Sequence, residues 1–218
     1  MKLSVQTINV LKNFSGINKS IVFRPGNTLA TIATNKTIMA KATVPDEFIN
    51  TFGIYNLSEF IGAISLTENP DLEFGDTYVT IRGDGGLEIK YHYCEISNVI
   101  CPPEKEINLP SIDVEVSLSN KDIQKVSKAL NLFELKEIGI VGDGKHIWLQ
   151  ALDISKPSTN DFRVQIAEGT NIFRAIFRPE NMKMSDGDYN IRISSKGISQ
   201  FIGTNMTYWI AIEASSTF

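Results

Sequence analysis

Histidine and cysteine are scarce in this chain, two of each among 218 residues, and that scarcity removes whole classes of chemistry. Cys94 and Cys101, seven positions apart, supply neither a disulfide framework nor the four N or S donors of a zinc site, and are read as reduced thiols. His92 and His146 each fall inside a strand pattern, where a hydrogen-bonded structural imidazole is favoured over a general base. No Gly-x-Ser-x-Gly and no phosphate-binding loop occurs; GDGG from 83 and GDG from 142 sit between strand patterns and read as hairpin turns. Asp186, Asp188 and Asn190 repeat the opening of a calcium loop, but Ile191 and Gly197 stand where that loop needs Gly and Glu. No catalytic residue, metal or cofactor is therefore expected.

Long apolar runs are missing as well. No stretch of about 18 apolar residues is available to span a bilayer, and MKLSVQTINVLKNF lacks the compact apolar core of a secretory signal. A cytoplasmic protein without a membrane partner is expected. Aromatic RNA-reading strands and zinc-finger spacing are also absent, and the twelve Phe are scattered through core-like positions.

What is present is an uneven distribution of charge. The formal net charge is -4, yet residues 1–58 hold six Lys/Arg against two acids and residues 59–106 hold three against ten. An acidic average does not exclude a local basic track, because the field over about one Debye length is set by nearby charges. The clearest basic track is SNKDIQKVSKAL, 119–130. At 3.6 residues per turn Lys121, Lys125 and Lys128 fall within a sector of roughly 60°, with Ile123, Val126 and Leu130 on the other side. Such a helix is either an ordinary solvated surface element or a surface for a polyanion.

The two halves of the chain read as a repeat. LSVQTINVLKNFSGIN (3–18) carries Leu3, Ile8, Leu11 and Phe14 at helical spacing and is followed by SIVFRPGNTLATIA (20–33), a predicted strand, Pro-Gly-Asn turn and strand. In the second half NKDIQKVSKALNLF (120–133) precedes EIGIVGDGKHIWLQAL (137–152), with Ile138 standing 117 residues after Ile21. Each half then offers a second short helix, NLSEFIGAISL (56–66) and RPENMKMS (178–185), the latter with Pro179 suited to a first turn. Further hairpins are predicted at 78–93 and 189–203, and a last strand at 207–214. The proline-bearing stretch 98–116 reads as a connector, with the boundary placed near 110, giving domains 1–110 and 111–218. The predicted fold class is α+β, two repeated domains each pairing antiparallel sheets with two short helices.

The start MKLS, LKNF with IN at 11–18, IYNLSEFIG with SL at 54–66, PENMKM with GDYNIRI at 179–193, and the ending YWIAIEASSTF together resemble the sliding clamps of T-even-type bacteriophages. The resemblance implies a closed homotrimeric ring, sheets outside and helices lining a hole that encircles double-stranded DNA without reading its sequence. It implies as partners the replicative DNA polymerase, tethered for processivity, an ATP-dependent clamp loader and late-transcription proteins, in the cytoplasm of an infected bacterial host. Under it the DNA-facing candidates are Lys12, Lys19, Lys121, Lys125, Lys128, Arg178 and Lys183, and a partner-peptide pocket would involve Ile107, Leu109 and Trp209. Subunits of a ring would pair sheet edges, for which 76–82 and 171–177 are the candidates. The rival reading is a structural phage ring that never holds DNA; an enzyme using His92 or His146 stands further off.

Overall fold

The computed structural model describes residues 1–105, 107–156, 158 and 160–218. The chain divides into two compact units, Met1–Lys105 and Glu106–Phe218. The first contains α1 (Val5–Ile17), β1 (Ile21–Phe23), β2 (Gly26–Ile32), β3 (Ile38–Phe48), β4 (Phe52–Ile54), α2 (Leu57–Ile64), β5 (Asp71–Phe74), β6 (Tyr78–Arg82) and β7 (Glu88–His92).

α1 starts at Ser4, whose backbone is extended and whose Oγ accepts the Thr7 amide at 3.1 Å. Val10, Leu11, Phe14 and Ile17, with Thr7, recur on one side and are buried, and that side packs on β3 and α2. α2 starts the same way: Asn56 Oδ1 accepts the Glu59 amide at 3.3 Å while its amide donates to Glu59 Oε2 at 3.1 Å. The core beneath is largely aromatic. Phe23 stacks on Phe52 with ring centroids 4.6 Å apart and tilts against Phe48 at 4.8 Å, and Phe52 in turn stacks on Tyr93 at 4.6 Å.

The stretch 20–33 is not the hairpin its Pro-Gly-Asn turn suggested. β1 pairs with β4, Phe23 opposite Phe52, whereas β2 pairs with β3, Leu29 opposite Ala42. Gly26 at φ +109° re-aims the chain between the two pairings, a conformation that side chains other than glycine rarely adopt. The hairpin expected at 78–93 is present as β6 and β7, inside the order β5-β6-β7.

The second unit contains β8 (Val114–Leu118), α3 (Asn120–Leu132), β9 (Glu137–Asp143), β10 (His146–Leu152), β11 (Phe162–Glu168), β12 (Ile172–Phe177), a single 3-10 turn at Pro179–Asn181, β13 (Tyr189–Ser194), β14 (Ile198–Ile202) and β15 (Met206–Ala211). One sheet runs β11-β10-β9-β12, and β15-β14-β13-β8 are paired in that order, all antiparallel. From its longer helix onward each unit follows one order, helix, four strands, a short helix or helical turn, three strands, and the second unit places β8 ahead of it. β1, which carries Ile21, and β9, which carries Ile138, take the same place in it.

Two expectations fail here for identifiable reasons. RPENMKMS makes one 3-10 turn and no second α-helix, because Pro179 starts a turn that nothing continues. The residues beyond it are tied down in non-helical form, with the Ser185 amide donating to Tyr208 Oη at 3.1 Å and Tyr189 Oη donating to Ser185 O at 2.6 Å. Of the two candidate edges, 76–82 is interior to its sheet, whereas 171–177 does end its sheet. Segment 76–82 falls on β6, which is paired on both sides, and β12 has β9 on one side and the chain terminus on the other: Arg174 and Thr217 exchange backbone hydrogen bonds of 2.8 and 2.9 Å. The strands without an outer neighbour among the described residues include β7 and β11.

Candidate nucleic-acid interface

α3 is built to keep a basic side free. Ser119 caps it, accepting the Asp122 amide at 3.2 Å and donating to Asp122 Oδ2 at 2.7 Å, while Asp188 Oδ1 accepts the Asn120 amide at 2.7 Å. The helix stops where Glu134 takes φ +52° and Leu135 N bonds back to Leu130 O at 2.9 Å. Val126 and Ala129 are buried and Ile123 and Leu130 half-buried, on the side that packs against β9, β10 and β11. Lys121, Lys125 and Lys128 are exposed on the other side, with Gln124 among them. Of these lysines only Lys125 has an ion-pair partner among the described residues, Asp122 Oδ1 at 2.9 Å. The hydrogen bond from Lys125, then that from Ser119, hold the Asp122 carboxyl below its ordinary value. Replacing Ser119 by Ala is expected to lower the unfolding free energy by about 1 kcal/mol in denaturant titration.

The other candidates are less uniform. Lys12 is exposed on α1, where its helical neighbours Gln6, Asn9 and Gly16 are neutral. Lys19 follows α1 and is tied to Tyr55, with Nζ 4.4 Å from the ring centroid and 2.9 Å from the hydroxyl. The exposed side of α2 offers Ser58, Glu59 and Gly62 and no cation. Arg178 and Lys183 are exposed but flank the 3-10 turn instead of riding a helix, and Arg178 Nε is 3.1 Å from Glu213 Oε2. A count of cations in the sequence missed Gln6, Asn9 and Gln124, which share the exposed helix sides and carry no charge to single them out.

For the partner pocket, the structure brings two of the three candidates together. Trp209 on β15 is 7% exposed and its indole N–H donates to Ile107 O at 3.2 Å, while Ile107 and Leu109 are half-buried. Trp209 is thus a core residue that anchors the connector.

This architecture occurs in known structures. PCNA from Thermococcus kodakaraensis matches with a TM-score of 0.71 at 12% identity over 95% of this chain and 96% of that one. The beta clamp of H. pylori matches with a TM-score of 0.65 at 14% identity over 99% of this chain and 64% of that one. The fold is that of the DNA clamps. Sequence narrows the class: a sliding clamp of Vibrio phage KVP40 is 34% identical over 98% of this chain and all of its own length, and that of Enterobacteria phage T4 is 29% identical over 100% and 99%. Residues 4–77 match the family model for DNA polymerase processivity factors and residues 115–214 that for the C-terminal part of the gp45 sliding clamp. The chain belongs to the phage sliding clamps, processivity factors that hold a DNA polymerase on DNA. That membership replaces the reading as a structural phage ring.

Proposed function

We propose that three copies close head to tail into a ring around duplex DNA, with the exposed side of α3 turned toward the phosphates. The observation that carries this is the uncovered row Lys121, Lys125, Lys128 on a helix whose opposite side is committed to the sheet. Three lysines per copy become nine in three copies. Retention without adhesion needs such groups: flexible ammonium ions follow phosphates, whereas the rigid fork of arginine and contacts to base edges would fix a position. Lys12 and the neutral amides of α1 would extend the same weak lining, with Lys19, Arg178 and Lys183 at its margins. The protein has no catalytic activity of its own in this reading; closure of the ring provides the residence time.

Ring closure in this reading uses the edges of β7 and β11. Beside β11, Leu132 at the end of α3 is 75% exposed, Phe133 is exposed, and Phe162, Val164 and Ile166 are half-buried, an apolar strip suited to a second copy. Residues 1–110 and 111–218 are the two clamp domains in this reading. An ATP-driven loader opens the ring in the cytoplasm of the infected host, and the clamp serves late transcription as well as replication. On a nicked circular duplex the loaded protein is expected to persist until the circle is cut and to have a solution mass three times 24.2 kDa. Equal dissociation from circular and linear DNA would refute the encircling ring.

A further inference from the structure

α3 covers only one face of the sheet β11-β10-β9-β12. Alternation along β10 buries Ile147, Leu149 and Ala151 and turns His146, Trp148 and Gln150 to the other face. Register places Val141 and Gln165 beside Trp148, Arg174 beyond Val141, and Arg163 beside Gln150, so both arginines share the Trp148 face.

Trp148 is fixed there. Its Nε1 donates to Asp143 Oδ2 at 2.9 Å, and the Arg163 guanidinium lies 4.5 Å from its ring centroid. Stacking leaves the in-plane donors of Arg163 available. Two of the nearby carboxylates are already engaged: Asp143 also accepts the Lys145 and His146 amides, and Asp161 accepts Gln150 Nε2 at 2.8 Å, while Glu168 lies opposite His146 toward the other end of β11. Among the described residues no carboxylate pairs with Arg163 or Arg174. Arg174 supplies a second sign: its Nε is withdrawn from solvent without an acceptor, and an anion from outside would meet the same guanidinium at its terminal nitrogens. A charged group half withdrawn from water and unmatched is costly unless an anion from outside completes it.

We propose that this face docks an extended acidic segment of a partner protein, with its carboxylates seated on Arg163 and Arg174 across the Trp148 platform. Three strand spacings and two residues of offset separate the two arginines by about 16 Å at the backbone, a span that about five residues of extended chain cover. Discrete carboxylates suit two isolated guanidiniums at that distance. A duplex, with one charge per roughly 1.7 Å of axis, would call for a denser basic row such as that of α3.

The test uses the full chain without DNA, so its result does not depend on ring loading. The probe is a fluorescein-labelled extended peptide bearing two Glu five residues apart around a Phe, followed by anisotropy at low salt. Arg163→Gln with Arg174→Gln is expected to weaken binding by about tenfold, and a peptide with Gln in place of Glu is expected to lose as much. Arg163→Gln alone, at an exposed position, is expected to show part of the loss with folding unaffected. Undiminished binding by the Arg163→Gln protein, or equal binding of the Gln peptide, overturns the proposal. So does duplex DNA displacing the peptide from a Lys121→Glu, Lys125→Glu protein, which would assign the face to nucleic acid.

Discussion

Lys121→Glu combined with Lys125→Glu is expected to reduce clamp-dependent synthesis on a primed circle by about a hundredfold, with the assembly state unchanged. In three copies the double change reverses six charges along the proposed lining. Each lysine that follows a phosphate contributes close to one unit to the salt dependence of DNA association, so the slope of log K against log salt should also flatten. The fold should tolerate the change, because both side chains are exposed and the packed side of α3, Val126 and Ala129, is untouched. Glu at 125 does lose the Asp122 pair and adds a like charge three residues away, a cost of about 0.5 kcal/mol that helical CD will register as small. Lys128→Glu avoids that neighbour and serves as the companion variant. Undiminished synthesis by both proteins would return α3 to the class of ordinary solvated helices.

Much of this arrangement is legible in the sequence because it rests on local rules. The 3.6-residue recurrence of Val10, Leu11, Phe14 and Ile17, and of Val126 with Ala129, marks α1 and α3, and glycine turns mark the hairpins β6-β7, β9-β10 and β13-β14. What the sequence hides is set by partners far along the chain. Pro25-Gly26 looks like any hairpin turn, and only the presence of Phe52 opposite Phe23 shows that β1 has left its neighbour for another strand. Segment 178–185 has helix-forming residues, yet two tyrosine hydroxyls from 189 and 208 claim Ser185 and hold it out of a helix. The candidate site divides along the same line. Lys121, Lys125 and Lys128 are placed by one helix and could be read directly, whereas the hydrogen-bond acceptor of Trp209 is Ile107 O, 102 residues away.

The feature least legible in the sequence is the acid that starts α1. α1 has no acidic residue in its first turn, and the negative charge at its N-terminus comes from Asp46 on β3. Asp46 Oδ2 accepts the Ser4 amide at 2.8 Å, the Ser4 hydroxyl at 2.7 Å and the hydroxyl of Thr7, a residue with no exposed surface. Asp46→Ala strips the cap of its acceptor and leaves the Thr7 hydroxyl buried beside only Ser4, for an expected loss of about 3 kcal/mol at pH 7. Asp46→Asn should lose less, since its amide oxygen can take the place of Oδ2 toward Ser4 and Thr7 but no longer brings the negative charge that strengthens those bonds. The native chain and Asp46→Asn also differ in pH dependence. Burial by itself would raise the Asp46 carboxyl, but the hydrogen bonds from Thr7 and Ser4 outweigh it and hold the folded value below 3.8. A depressed folded value stabilises the chain fully above the unfolded one, and that contribution is lost as pH falls through the folded one. The stability gap between the native chain and Asp46→Asn, measured by urea unfolding, should therefore be constant near neutrality and close below about pH 4, where the other carboxylates titrate in both proteins alike. A gap that persists unchanged into that acid range would mean that Asp46 acts by shape alone and not as the ionised acceptor that starts α1.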